Sequence, residues 1–116
     1  MLGKITNFIK RFLYDDSIGI LSKPRSPHWS TVRKNFLGTN PKCAVCGGNK
    51  NLQVHHCIPY HIDESKELCE ENLIVLCEEN KCHFLFGHLG NWTSYNPDVR
   101  QDADTWSKKI QNRPTL

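Results

Sequence analysis

Two adjacent histidines and two pairs of cysteines are the residues of this chain whose types and spacing suit metal chemistry. His55 and His56 lie in the stretch NLQVHHCIPYH, which otherwise has the pattern of a short strand. Neighbouring side chains of a strand point to opposite faces, so the two imidazoles face different surroundings. Imidazole is both a common metal ligand and an acid–base group near neutral pH. Metal binding and proton transfer are therefore the chemistry to test.

The cysteines form a C-x2-C pair, Cys43 and Cys46, and a C-x4-C pair, Cys77 and Cys82. Structural zinc takes four thiolates in tetrahedral geometry, and two tight turns can present their sulfurs to one point. Such an ion contributes roughly 10–16 kcal/mol of apparent binding energy to folding in small domains. The alternative is a set of unrelated reduced cysteines. Because each pair opens a turn beside a predicted strand, we favour a structural zinc site.

Short secondary-structure elements must position these groups. Ser26 and Pro27 resemble the cap and first turn of a helix that ends at Gly38. We predict a first strand that Pro59 breaks, a second strand from an apolar run, a short helix, and a final helix that Asn96-Pro97 caps. The predicted strands are about 52–56 and 72–77, and the short helix is about 83–89.

The N-terminal segment has apolar residues at helical spacing over 2–14, with basic residues on the other side. We expect an amphipathic helix, followed by a linker that ends near residue 25. The helix is expected to pack on the domain or on a second copy. Its short length argues against membrane attachment.

Composition and charge restrict the class of protein. The 116 residues suit one small domain, and no apolar run approaches the roughly 20 residues that cross a bilayer. No secretory signal is evident, so we expect a reducing cytoplasm, where clustered cysteines more often hold metal than form disulfides.

The net charge is +3, but residues 1–60 carry +7 and residues 61–79 carry −6. A basic half suits a polyanion, although a solvated surface explains the charge equally well.

The order of these motifs resembles the HNH endonuclease family in its four-cysteine zinc form. The C-x2-C pair, VHHCIPYH, ENLIVLC and CHFLFGH occur in the family's order over residues 43–88. The resemblance implies an α+β fold: a small ββα-metal core with a structural zinc clamp, flanked by N- and C-terminal helices. The nuclease domain would span residues 26–116, with its core at 43–90. The flanking sequence is similar to that of small, free-standing phage and bacterial proteins.

Carried onto this sequence, the family pattern assigns roles. His55 would bind the catalytic ion, and His56 would be the general base. Asn72 would tether the loop that carries the histidines, and His83 would be a second ligand of the ion. Alternation on the strand fits this division, because one imidazole holds the ion while its neighbour takes a proton. The ion would be Mg²⁺, Mn²⁺, Ni²⁺ or Zn²⁺, and imidazole ligands favour the last three.

Two further histidines have less definite expected roles. His88 follows His83 by five residues, and five residues of an α-helix turn through about 500°, which leaves the side chains about 140° apart. We therefore expect His88 to contact phosphate or a metal without sharing the ion of His83. His61 is expected either to make a structural hydrogen bond or to contact the substrate.

The predicted function is hydrolysis of DNA phosphodiester bonds, with duplex DNA as the expected substrate and low intrinsic sequence specificity. A partner, for example a phage packaging or recombination complex, would supply targeting, and a homodimer would combine two nicking sites into a double-strand break. A phage-encoded protein would act in the cytoplasm of its bacterial host. One alternative is a non-catalytic zinc module that binds nucleic acid or protein. Another is a toxin-like nuclease guided to a membrane by the N-terminal helix.

Overall fold

The structure is a computed structural model that describes residues 25–116. The expected N-terminal helix and most of the linker lie outside the described residues. The described part is a small α+β unit of two strands, two α-helices and short helical turns. Within it, no helix has the length and apolar character that crossing a bilayer requires.

The sheet consists of two antiparallel strands, β1 (Leu52–His56) and β2 (Leu73–Cys77). Both were predicted from the sequence, and their bounds agree with the prediction to within one residue. Leu52 pairs with Cys77 at one end, and His56 pairs with Leu73 at the other. The hairpin therefore presents a cysteine at one end and the paired histidines towards the other.

The first described helix, α1 (Trp29–Thr39), begins later than the sequence predicted. Ser26 instead closes a preceding turn, in which its carbonyl accepts from Trp29 N and its hydroxyl accepts from His28 N. Gly38 was expected to end the helix but lies inside it. The helix contacts β1, so it covers the strand that carries the histidines.

The short helix predicted over 83–89 is a π-helix over His83–Gly87, and it contacts both strands. The final helix, α2 (Val99–Gln111), packs Val99 and Ala103 into the core. Helical spacing puts Trp106 on the same face of α2 as Val99 and Ala103, but Trp106 is 49% exposed, and its ring forms a T-shaped pair with Phe86. The core lies between β2, the cysteine turns and α2.

Candidate metal centre

The first cluster contains the four cysteines of the two pairs, whose sulfurs all lie within 4.8 Å of one another. The sulfurs of Cys46 and Cys77 are 3.6 Å apart. Four thiolates at about 2.3 Å from a central ion would stand about 3.8 Å from each other. The spacing therefore fits a tetrahedral metal ion such as zinc, as the C-x2-C and C-x4-C pairs predicted.

The turns around this cluster direct hydrogen-bond donors at its sulfurs. The backbone N–H groups of Val45, Gly48 and Asn80 donate to Cys43, Cys46 and Cys77 respectively. Burial opposes ionisation of Cys46, but the Asn80 amide and the Gly48 N–H outweigh it and lower the pKa of that thiol to about 7. Burial raises the pKa of the Cys82 thiol, and a coordinated cation would reverse that effect.

The second cluster contains three histidines, His55, His83 and His88. One ring nitrogen of each lies within 4.8 Å of those of the other two. The three ring centroids are mutually 4.9–5.1 Å apart. The structure thus brings His55 and His83 together, as expected, and adds His88 as a third member.

The expectation that His88 faces away from His83 is wrong, and the π-helix is the physical reason. The 140° separation assumed an α-helix, whose hydrogen bonds join residues four apart. A π-helix joins residues five apart, so a five-residue spacing comes close to one full turn. The spacing His83–His88 therefore places both imidazoles on one side.

Hydrogen bonds fix the ring orientation in two members of the cluster. His83 Nδ1 lies 3.0 Å from Glu78 Oε2, and His88 Nδ1 lies 2.7 Å from the Ser94 carbonyl oxygen. Both oxygens only accept, so each Nδ1 carries a proton, and in the neutral form of either ring the lone pair is on Nε2. Such outer hydrogen bonds are usual for metal-ligating histidines and raise their basicity.

His55 is the buried member of the cluster. Its Nε2 is inaccessible to solvent and has no hydrogen-bond partner among residues 25–116. Burial, followed by the neighbouring His83, His88 and His56, holds the pKa of His55 well below its usual range, so the ring is neutral. A buried nitrogen without a partner is costly, and a metal ion held with His83 and His88 would satisfy it.

Gly87 gives the His55 ring its space. A Cβ placed on Gly87 would lie 3.0 Å from Cε1, 3.1 Å from Nδ1 and 3.2 Å from Nε2 of His55. The π-helix backbone is therefore seated directly against the imidazole. A side chain at this position would push the ring out of place.

His56 lies outside the three-histidine cluster and has a different partner. Its Nε2 is 2.9 Å from the Glu67 carbonyl oxygen, so Nε2 donates and Nδ1 keeps its lone pair. The ring packs against Trp29, with centroids 4.5 Å apart. Burial, with a smaller contribution from Arg25, lowers the pKa of His56 to about 4. His56 is therefore a neutral imidazole at neutral pH.

Asn72 is buried and ties together the chain that follows His56. Its Oδ1 accepts from Ile58 N at 2.8 Å, and its Nδ2 donates to the carbonyls of Ile58 and Lys66 at 3.0 and 3.2 Å. One side chain thus closes the loop between the strands at two places. Because the Glu67 carbonyl lies next to Lys66, this tether also fixes the acceptor of His56.

A cavity of about 610 Å³ opens beside both histidine groups. Arg33 of α1 lies on its wall and makes no hydrogen bond or ion pair with any described residue. His61 is exposed and is not among the residues that line the cavity. The histidines on the wall are His55, His56, His83 and His88, and the indoles are Trp29 and Trp92.

The structure adds residues to this site that the sequence did not predict. Glu67 and Glu78 belong to the acidic segment 61–79, to which the sequence assigned no role. The Glu67 carboxylate is buried, accepts from Ser26 N at 3.2 Å and pairs with Arg25 at 3.8 Å. Trp92 contacts the rings of His83 and His88. Nothing in the local sequence indicates these contacts, since most of them join distant segments.

Comparisons of the chain with models of known protein families, with curated proteins and with solved structures gave no match.

Proposed function

We propose that the protein is a metal-dependent endonuclease that hydrolyses DNA phosphodiester bonds, as its resemblance to the HNH family implies. The observation that carries the proposal is that His56, a neutral imidazole with its lone pair on Nδ1, lines the same cavity as the three clustered imidazoles. A base next to a cation site is the pairing that phosphodiester hydrolysis needs. The four cysteines would hold a structural zinc ion.

His55, His83 and His88 would hold the catalytic ion. A divalent ion bound there would neutralise the charge on a nonbridging phosphate oxygen and stabilise the departing 3′ oxygen. Three imidazoles without a carboxylate favour Mn²⁺, Ni²⁺ or Zn²⁺ over Mg²⁺. The hydrogen bonds from His83 to Glu78 and from His88 to Ser94 occupy Nδ1 of each ring, so Nε2 is the nitrogen that would ligate the ion.

His56 takes the proton from the attacking water. The water oxygen bonds to phosphorus, the bond from phosphorus to the 3′ oxygen breaks, and the proton passes to Nδ1 of His56. The Glu67 carbonyl holds the ring during this step, because it accepts the hydrogen on Nε2. Arg33 is placed on the cavity wall where it can neutralise a phosphate.

The test is the cleavage of supercoiled plasmid by zinc-loaded protein in Mg²⁺, Mn²⁺ or Ni²⁺. We expect cleavage in Mn²⁺ or Ni²⁺, and we expect His56→Ala to lower the rate by roughly 10²–10⁴-fold. His28→Ala, which removes an exposed histidine, is the matched control and should cut like the wild type. No cleavage in any ion, or full activity of His56→Ala, would refute the proposal and leave a zinc-binding module.

A further inference from the structure

We propose that the cavity beside the histidines takes an unpaired nucleotide, whose base stacks on Trp92. The preferred substrate is then single-stranded or locally melted nucleic acid rather than the duplex expected from the sequence. This inference rests on the proposed nuclease function and names the substrate class of the same site.

Trp92 is a fixed ring with an open surface. Its indole centroid lies 4.9–5.2 Å from the rings of His83, His88 and Phe84. Trp92 nevertheless remains 38% exposed and lines the cavity. A rigid aromatic ring of this kind binds a planar base without a large loss of side-chain entropy.

The position of Trp92 restricts which base can reach it. The indole touches two of the three imidazoles proposed to hold the ion, so a base that stacks on it belongs to a nucleotide at or next to the cleaved phosphate. In a duplex that base is paired and stacked inside the helix. It can reach a wall of a protein cavity only after leaving the stack, which costs least in a single strand.

The remaining features of the cavity suit a nucleotide. Its volume of about 610 Å³ lies within the range typical of small-ligand sites. Arg33 supplies a cation that no described acidic group neutralises, whereas Arg25 is paired with Glu67. A positive groove with aromatic walls is the usual arrangement in proteins that bind single strands.

The experiment compares cleavage of one oligonucleotide sequence as a single strand and as a full duplex, in Mn²⁺. We expect the wild type to cut the single strand at least tenfold more efficiently, as kcat/KM. Trp92→Ala should raise KM for the single strand roughly 5- to 100-fold and change KM for the duplex little. Trp92→Phe keeps an aromatic ring and should retain most of the preference for the single strand over the duplex. Trp106→Ala removes a different exposed indole and is the matched control.

Two further measurements separate the possible failures. Cleavage of both forms with equal efficiency overturns this inference while the nuclease proposal stands, whereas cleavage of neither form defeats that proposal. If neither form is cut, oligothymidylate should still quench the tryptophan fluorescence of the wild type more than that of Trp92→Phe. Equal quenching of the two proteins overturns the inference. If Trp92→Ala weakens Mn²⁺ binding as much as it weakens cleavage, Trp92 only supports the histidines and the inference is wrong.

Discussion

Replacing Gly87 by alanine tests whether the π-helix is built around a metal-binding imidazole. The new Cβ would meet three atoms of the His55 ring at 3.0–3.2 Å. Ordinary contact between such atoms begins at about 3.5 Å, so the ring or the helix must move by roughly half an ångström. The φ angle of Gly87 is not in the left-handed region, so alanine has no backbone penalty and the effect comes from this contact.

The expected loss follows from the geometric tolerance of metal sites. Ligand distances hold to about ±0.2 Å, and a displacement of half an ångström exceeds that tolerance. Changes that disturb ligand orientation typically weaken metal binding about 10–100-fold, or about 1.4–2.7 kcal/mol. Overpacking a well-packed site costs about 1–3 kcal/mol of folding stability in addition. We therefore expect Gly87→Ala to fold, with a lower melting temperature and weaker binding at the histidines.

The assay is calorimetric titration of Ni²⁺ or Mn²⁺ into protein whose cysteines already hold zinc. Gly38→Ala is the matched control, because a Cβ at this exposed position in α1 meets nothing within 4 Å. It should bind metal like the wild type and gain about 0.5–1 kcal/mol of stability from the better helix former. A folded Gly87→Ala protein with metal affinity within twofold of the wild type would refute the reasoning.

Three other substitutions give distinct expected results. Glu78→Ala removes the acceptor for His83 Nδ1 and should weaken metal binding at the histidines about tenfold in the same titration, whereas Glu78→Gln keeps an acceptor and should lose less. Asn72→Asp removes both hydrogen bonds that Nδ2 donates to the loop carbonyls, and it buries a charge. Thermal denaturation should therefore show a decrease of about 2 kcal/mol or more in the free energy of unfolding. Cys82→Ser should reduce the bound zinc measured by elemental analysis and leave the chain largely unfolded by circular dichroism.

Features encoded within a few residues were predictable from the sequence. The strand Leu52–His56 was predicted at its observed bounds, because it lies between the turn-rich segment 40–51 and Pro59, which breaks a strand. The four cysteines were expected together because two short-spaced pairs can reach one point, and their sulfurs do lie together. Asn72 was predicted to tether the loop only through the family resemblance.

Features that depend on a change of helical period or on distant contacts were not predictable. The HFLFGH stretch gives no indication that its hydrogen bonds join residues five apart, so His88 was placed on the wrong side. The positions of Trp92 and Glu67 depend on tertiary packing. The buried Glu67 resembled a surface residue because its partners, Arg25 and Ser26, lie about 40 residues earlier in the chain.

We expect the adjacency of Cys82 and His83 to couple metal binding at the two clusters. Cys82 is the last cysteine of one cluster, and His83 begins the π-helix that carries two histidines of the other. An ion that holds Cys82 therefore also fixes the position of His83. Zinc at the cysteines should then increase the affinity of the three histidines for their own metal ion. Because coupling between binding sites is reciprocal, occupancy of the histidines must tighten zinc binding at the cysteines by the same factor. Zinc affinities that are equal with and without saturating Ni²⁺ at the histidines would mean that the sheet holds the two clusters independently.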